Sequence, residues 1–199
     1  MGLIHLVRHG THDEVGRVLS GRSEIALNAA GQEESRKVVR LLGDEEIGAI
    51  HSSPRRRARD TAAPLAQARG LPVLTTPALD EIDFGHFTGR SFAELDRDAC
   101  WHRWNAERST ARCPDGETMA QAIARAVDGL ATLEADASPA VCFTHCDVIR
   151  GVVAHVLGLP FDRIFRFDCD PGSITTLAVE AGAMRLVALN RRGPRPGSG

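Results

Sequence analysis

Four short segments carry most of the side chains that could do chemistry, and each follows an apolar run. They read RHGTHDE at 8–14, SSPRRRARDTA at 52–62, LDEIDFGHFTG at 79–89 and THCDVIR at 144–150. In an open parallel sheet, ligands bind beyond the carboxyl ends of the strands, because the loops of neighbouring strands meet there. We therefore expect ionisable side chains from all four segments to share one rim of the protein.

The predicted rim is mainly cationic, although the whole chain carries a formal net charge of only -2. Arg8, His9, Arg57 and His145 would gather there, with Glu81 as a nearby carboxylate. Guanidinium groups hold phosphate through paired hydrogen bonds, and helix N-termini after the second and fourth segments would add backbone N–H donors. The segments therefore predict a site for a phosphate dianion.

Catalysis is the more specific interpretation of these residues. Neighbouring arginines disfavour a proton on His9, which favours a neutral, nucleophilic imidazole. Glu81 could protonate a leaving oxygen and later take a proton from water. Taken singly, His9 and His145 are more typical of hydrogen-bonded structural histidines, and arginines 55–59 of a solvated helix face. Glu81 alone would be an ordinary loop carboxylate. The occurrence of all of them after successive strands favours chemistry.

A metal site is the alternative suggested by His5, His9 and His12. A strand places His5 and His9 on one face, but too far apart to share an ion, and neither an HExxH motif nor a cysteine pair accompanies them. We predict that the protein uses no metal and no other cofactor.

The elements that must position these residues alternate along the chain. Short buried strands are predicted at 3–7, 48–52, 72–76 and 140–144. Residues 173–190 are predicted to form two further strands joined by a tight Ala-Gly turn. Alternating strands and helices imply an α/β fold, a three-layer α/β/α sandwich whose mainly parallel central sheet carries an antiparallel edge hairpin.

Helix signals fill the gaps between the strands. The first helix is predicted at 29–42 after an Asn28 cap, and a second at 55–69 is stopped by Gly70 and bent or frayed by Pro64. Capping boxes open two more helices, and a largely buried helix is predicted at 148–158 with a stop at Gly158. The boxes pair Ser91 with Glu94 and Thr118 with Gln121.

Composition indicates one soluble globular domain. The chain has 199 residues, 43% hydrophobic and 25% charged, so we expect a single domain at 1–190 and a disordered tail at 191–199. The small net charge favours neither nucleic acid nor a membrane as a partner, and no signal peptide or membrane span is evident. We expect a cytoplasmic protein whose five cysteines are mostly reduced. The edge of the terminal hairpin could pair with a second copy to form a homodimer.

Five motifs in order make the chain similar to a known family. LVRHG at 6–10, the segments at 52–62, 79–89 and 144–150, and PDGET at 114–118 resemble motifs of the histidine phosphatase superfamily, the phosphoglycerate mutase-like proteins. The resemblance covers residues 3–190. One RHG triplet is a weak signal, whereas five segments in family order are specific.

The resemblance implies roles for individual residues. It makes His9 the nucleophile that becomes a phosphohistidine, and Glu81 the proton donor and acceptor. Arg8, Arg57 and His145 would grip the phosphoryl oxygens. Substrate or phosphate contacts are further implied for the following residues: Gly10, Ser20, Gly21 and Cys146.

Two positions depart from the family pattern. Val15 stands where many members have an asparagine, so that position offers phosphate no side-chain donor, which His12 or Ser20 would have to replace. Cys146 stands where a glycine is common and narrows the space beside the phosphate, with an inert small residue or a redox-sensitive thiol as the two interpretations.

Three functions compete on this basis. Only residues 82–113 separate Glu81 from the PDGET motif, and this short cap favours a metal-independent phosphatase acting on a small phosphorylated metabolite. A phosphoglycerate-type mutase and a non-catalytic phosphate-binding protein are the alternatives. Specificity should lie in the cap, where Trp101, Trp104, Arg103 and Arg108 either contact substrate or simply pack and face water.

Overall fold

A six-stranded mixed sheet forms the middle of the molecule. The computed structural model describes residues 2–133 and 139–193. The strands are β1 (Gly2–Arg8), β2 (Ala49–Ser52), β3 (Val73–Thr75), β4 (Ala140–Thr144), β5 (Ile174–Glu180) and β6 (Ala183–Arg191). Their order across the sheet is β3-β2-β4-β1-β5-β6. The predicted α/β fold with an antiparallel edge hairpin is confirmed.

Strand register brings the chemically interesting segments together. Parallel pairing aligns Arg8 at the end of β1 with Thr144 at the end of β4, and Ser52 at the end of β2 with Phe143. Three of the four segments therefore leave the sheet side by side at one edge, as the rule for parallel strands predicts.

Helices cover both faces of the sheet. They are α1 (Ala29–Leu42), α2 (Arg56–Arg69), α3 (Phe92–Leu95), α4 (Ala99–Ala106), α5 (Met119–Leu133) and α6 (Cys146–Val156). One apolar cluster joins the sheet to α1 and α2 through Val38, Leu42 and Leu65. A larger one joins the opposite face to the remaining helices through residues such as Trp104, Ile123 and Val152. Burial of apolar surface on both sides of the sheet produces the three layers.

Most local sequence signals correspond to observed structure. Asn28 caps α1 by accepting a hydrogen bond from the Gly31 N–H, and Ser91 forms a reciprocal capping box with Glu94. Thr118 and Gln121 exchange the same kind of bonds, with the Gln121 N–H 3.1 Å from Thr118 Oγ1. The predicted hairpin turn has Ala181 and Gly182 at positive φ.

Three predicted boundaries differ from the structure. Helix α2 begins at Arg56, one residue later than predicted, and continues through Pro64 to the predicted end at Arg69. Helix α6 begins at Cys146, two residues before the apolar run that marked it, because Cys146 and Asp147 form its first turn after His145. Strand β6 extends through Arg191, the first residue assigned to the tail, and Arg192 is ion-paired with Asp170 at 2.9 Å. The predicted tail at 194–199 lies outside the described residues.

None of the helices within the described ranges has the length and apolar character needed to span a bilayer.

Candidate active site

The turn after β1 fixes His9 at the carboxyl edge of the sheet. The His9 N–H donates to the Thr144 carbonyl at 2.9 Å, which continues the ladder with β4. The Gly10 N–H donates to Thr61 Oγ1 on α2 at 2.9 Å. A Cβ atom at Gly10 would lie 2.7 Å from the Gly31 carbonyl oxygen, so only glycine allows α1 to pack this closely. Two helices and a neighbouring strand thus hold the turn.

The His9 imidazole is held in one tautomer. Its side chain is buried, and Nδ1 lies 2.8 Å from the Gly10 carbonyl oxygen. Because a carbonyl oxygen can only accept, Nδ1 carries the proton and Nε2 keeps a free lone pair. Burial, and then the charges of Arg57 and Arg8, hold the His9 pKa well below its usual value. His9 is therefore a neutral imidazole with an available nucleophilic nitrogen at neutral pH.

Arg57 is a fully buried cation beside His9. Its Nη1 donates to the Ser23 carbonyl at 3.0 Å and its Nη2 to the Gly21 carbonyl at 2.5 Å. Nη2 also lies 3.0 Å from His145 Nδ1. These neutral acceptors orient the guanidinium without cancelling its charge, so it remains able to bind an anion.

His145 is a buried residue that contacts both Arg57 and His9. It follows β4, is 0% exposed, and its ring centroid is 5.3 Å from that of His9. Since Nδ1 accepts from Arg57, the proton is on Nε2, which lies 2.8 Å from Ser53 Oγ. Ser53 Oγ in turn donates to Asp80 Oδ1 at 3.3 Å. Burial and the charge of Arg57 lower the His145 pKa well below its usual value, so His145 is also neutral.

Glu81 is a carboxyl group that retains its proton. It follows a 3₁₀ turn at Pro77–Leu79, where the Leu79 carbonyl accepts from Thr144 Oγ1 at 2.6 Å and so ties the segment to β4. Glu81 Oε2 lies 3.6 Å from His145 Nδ1. Burial and the nearby Asp147 carboxylate raise the Glu81 pKa to about 8. At neutral pH this side chain is a proton donor in a cavity lined by cations.

The remaining predicted site residues divide into two groups. Arg8, Ser20, Gly21 and Cys146 line the same cavity as His9, Arg57 and Glu81. Arg8 Nη1 donates to the Cys169 carbonyl at 2.6 Å, and Ser20 Oγ donates to Glu14 at 2.8 Å. Gly10 is not among the lining residues, and its N–H is taken by Thr61. Its place in the fold is structural packing against α1.

Val15, which replaces the asparagine common in the family, also lies in the cavity wall. Val15 and His12 both line the cavity, and His12 stacks at a ring-centroid distance of 5.3 Å from His9. Burial and the charge of Arg57 lower the His12 pKa to about 4. His12 is thus a neutral ring, able to donate one N–H toward a phosphate where Val15 cannot.

Cys146 has a more acidic thiol than an ordinary cysteine. It is half-buried in the cavity wall, with Sγ 3.6 Å from the Cys169 carbonyl oxygen. A hydrogen bond with the Cys169 side chain, reinforced by the charge of Arg8, lowers the Cys146 pKa to about 7. Burial raises the pKa of Cys113 to about 12, so reactivity toward electrophiles should differ sharply between these two thiols.

We expect iodoacetamide at pH 7.5 to alkylate Cys146 before Cys113 and to inactivate the protein. Peptide mass mapping and residual activity against time would be measured, with and without inorganic phosphate, which should slow both processes. Cys146→Ser should resist inactivation, whereas Cys100→Ser, which removes an exposed thiol, should behave like the wild type. Inactivation of Cys146→Ser at the wild-type rate would contradict the expectation.

Sequence analysis missed three residues that orient the site residues or change their pKa. Ser53 and Asp80 align His145, and Asp147 is the carboxylate that helps to keep the proton on Glu81. All three lie within the predicted segments at 52–62, 79–89 and 144–150, so their position in those segments was the available signal. Within residues 2–133 and 139–193, no group of three or more His, Cys, Asp or Glu side chains is arranged to hold a metal ion.

Comparisons with known proteins show which family this chain resembles over its length. The model of the histidine phosphatase superfamily (branch 1) matches residues 4–192. A probable phosphoglycerate mutase GpmB of Escherichia fergusonii is 32% identical, over 79% of this chain and 75% of the relative. Phosphoserine phosphatase 1 of Hydrogenobacter thermophilus is 26% identical, over 93% of this chain and 90% of the relative. The structure of a mycobacterial glucosyl-3-phosphoglycerate phosphatase superposes with a TM-score of 0.85 at 28% identity, covering 96% of this chain and 99% of that one.

Proposed function

The chain belongs to the histidine phosphatase superfamily, and from that premise we propose that it hydrolyses a small phosphomonoester through a phosphohistidine at His9. The observation that carries the proposal is the bond between His9 Nδ1 and the Gly10 carbonyl, 2.8 Å long. It directs the lone pair of Nε2, rather than a proton, at the cavity.

The first step transfers the phosphoryl group to the protein. Nε2 of His9 attacks phosphorus, and the bond between phosphorus and the ester oxygen breaks. Glu81 gives its proton to the departing oxygen and becomes a carboxylate. Arg8 and Arg57 stabilise the charge on the equatorial oxygens, as preorganised cations do in phosphoryl transfer. His145 supports this cradle by orienting the Arg57 guanidinium.

The second step returns the site to its starting state. The Glu81 carboxylate takes a proton from water, whose oxygen attacks phosphorus, and the bond to His9 Nε2 breaks. Inorganic phosphate leaves, and Glu81 is again protonated. The step needs no metal ion, because Arg8 and Arg57 already supply positive charge.

Rapid quenching with a ³²P-labelled phosphomonoester tests the proposal. We expect a labelled protein whose phosphoryl group is stable in base and labile in acid, and peptide mapping should place it on His9. Turnover should be unchanged by prolonged treatment with a metal chelator. Label on a serine or cysteine, or loss of turnover after chelation, would overturn the proposed chemistry.

A mutase is the second candidate, since one relative is named a probable phosphoglycerate mutase. Hydrolysis is favoured because the segment between Glu81 and Pro114 holds only a 3₁₀ turn, Gly85–Phe87, and two short α-helices, Phe92–Leu95 and Ala99–Ala106. With 3-phosphoglycerate, release of inorganic phosphate would support the phosphatase. Isomerisation that depends on a bisphosphate primer would support the mutase.

The setting of the reaction is part of the same proposal. Residues 1–190 act as one catalytic domain in the cytoplasm, without a cofactor and without nucleic acid as a partner. If two copies associate, the outer edge of β6 is the surface we assign to their contact, because β6 ends the sheet.

A further inference from the structure

The proton of Glu81 has a definite place on its carboxyl group. Glu81 Oε1 accepts a hydrogen bond from the Ile82 N–H at 3.0 Å, whereas Oε2 lies 3.6 Å from His145 Nδ1. The unprotonated oxygen of a carboxyl group is the better acceptor, so the proton belongs on Oε2. Because the bond to the Ile82 N–H ties the side chain to its own backbone, the position of that backbone determines where the proton donor points.

Charged side chains hold the backbone of Glu81 from both sides. The Glu81 N–H donates to Asp80 Oδ1 at 2.8 Å, and the Glu81 carbonyl accepts from Arg22 Nε at 2.9 Å. Arg125 of α5 reaches the same carbonyl only at 3.5 Å and bonds more closely to the Ala78 carbonyl, at 2.9 Å. Of the two arginines, Arg22 is therefore the closer donor to the backbone that carries the proton donor.

The Arg22 guanidinium is itself fixed by a cluster of carboxylates. Nη1 lies 3.3 Å from Asp83 Oδ2, Nη2 lies 3.0 Å from Glu117 Oε2, and Nε is also 3.5 Å from Asp80 Oδ2. Glu117 Oε2 in turn accepts from the Asp83 N–H at 3.0 Å. Since all three guanidinium nitrogens have partners, the planar group has one orientation relative to the segment at 80–83.

The backbone on either side of Arg22 forms a turn that orients Arg57. The Ser23 N–H donates to the Ser20 carbonyl at 2.9 Å, and Gly21 has a positive φ of 48°. The carbonyls of Gly21 and Ser23 both accept from the Arg57 guanidinium, at 2.5 Å and 3.0 Å. One turn therefore contacts the phosphate-binding cation through its backbone and the segment of the proton donor through the Arg22 side chain.

Phosphoryl transfer makes the distance between the acid and the cation important. Arg57 would fix the phosphoryl oxygens, and Glu81 must lie within hydrogen-bond distance of the ester oxygen that leaves. A misplacement of about 1 Å can cost about 10²-fold in rate. We propose that Arg22 is a positioning residue, which fixes the Glu81 proton donor relative to Arg57. The proposal rests on the proposed function, because the acid and the cation belong to that reaction.

Arg22→Met tests the proposal, because it keeps the aliphatic stem and removes every donor. We expect kcat/KM for sn-glycerol 3-phosphate, an alkyl ester, to fall by about tenfold or more. The value for p-nitrophenyl phosphate should fall by less than about threefold, since its leaving oxygen needs little help from a proton. Equal losses for the two esters, or no loss in a folded variant, would overturn the proposal. If the wild type hydrolyses neither ester, the proposed function itself fails.

A double-mutant cycle shows whether Arg22 acts through Glu81. Arg22 is not among the residues that line the cavity, so its effect should pass through the acid rather than through a contact with substrate. In a Glu81→Gln protein the proton donor is already gone, and adding Arg22→Met should change kcat/KM for sn-glycerol 3-phosphate by less than about twofold. Two losses that multiply would show independent roles and overturn the proposal.

Arg36→Met is the matched control for the loss of an ion-paired arginine. Arg36 lies exposed on α1, where its Nη1 is 3.2 Å from Glu33 Oε2. The same substitution there should leave kcat/KM for both esters at the wild-type values, because a surface pair of this kind contributes little.

Neighbouring cations should keep the Arg22→Met protein folded. Asp80 remains paired with Arg55 at 3.0 Å, and Glu117 with Arg125 at 3.1 Å. Thermal unfolding of the variant checks this expectation. If the variant unfolds, Arg22→Lys takes its place, since lysine keeps the charge but lacks the planar fork that bonds several partners at once. The same selective loss for the alkyl ester is expected, and an unselective loss would overturn the proposal.

Discussion

His9→Ala should lower kcat for any phosphomonoester by roughly 10⁴-fold or more, because removal of a nucleophile leaves only substrate binding and electrostatic stabilisation. The labelled phosphoprotein should also disappear. Steady-state hydrolysis and rapid quenching, each measured on one preparation, would check both effects. The loss should be the same for aryl and alkyl esters, since both need the same attacking nitrogen.

A second histidine provides the control for this loss. His155 lies exposed in the last turn of α6, so His155→Ala should retain wild-type turnover. Thermal unfolding of both variants would show whether the His9 substitution merely unfolds the protein. A folded His9→Ala protein with normal turnover would end the assignment of His9 as nucleophile.

Glu81→Gln should reduce kcat for alkyl phosphates by about 10²- to 10⁴-fold, the usual contribution of a general acid. The reduction should be much smaller for aryl phosphates, whose leaving oxygen needs less help from a proton. In the wild type, hydrolysis of alkyl esters should decline as the pH rises through about 8, where Glu81 loses its proton. The variant should lack this decline. Equal losses for both ester classes would exclude Glu81 as the acid.

The same carboxyl group should make folding stability depend on pH. Its pKa rises from an ordinary 4.5 to about 8 in the folded protein, so the folded state holds the proton more tightly than the unfolded chain. Its contribution to stability is complete below pH 4.5 and is lost as the pH rises through about 8. A tenfold difference in proton affinity between the two states corresponds to about 1.4 kcal/mol in the free energy of unfolding.

Glu81→Gln removes this pH dependence, because an amide does not ionise. At pH 9 the variant should therefore unfold at a higher temperature than the wild type, and the difference should shrink at pH 5. Glu46→Gln, at an exposed position, should show no such difference. Thermal denaturation across this pH range would measure it, and a pH-independent difference for Glu81→Gln would contradict the assigned ionisation.

Local sequence patterns predicted the positions of His9, Arg57 and His145, because each follows a strand or lies at the start of a helix. His9 follows the apolar run of β1, and Arg57 lies in the first turn of α2. Such positions are determined by strand and helix patterns and by the geometry of parallel sheets. The family motifs then favoured the catalytic interpretation of His9 over a structural one.

Contacts between distant segments could not be predicted in this way. Ser53 and His145 are 92 positions apart in sequence, and only the pairing of β2 with β4 brings them to 2.8 Å. The cap shows the same limit. Arg108 is buried against Asp147, whereas Arg103 is exposed and pairs with Glu107 on the surface of α4. No local pattern distinguishes these two arginines, because the burial of Arg108 depends on Asp147, which lies far away in the sequence on α6.

The pairing of β1 with β4 has a consequence for biosynthesis. The ends of these strands, Arg8 and Thr144, place His9 and His145 side by side, although most of the chain separates them. A nascent chain that has not yet released residue 144 contains His9 but neither His145 nor the Thr144 carbonyl that fixes the His9 backbone. Such long-range strand contacts form slowly. We therefore expect catalytic activity to begin during translation only after β4 has paired with β1. Chains truncated before residue 144 should be inactive.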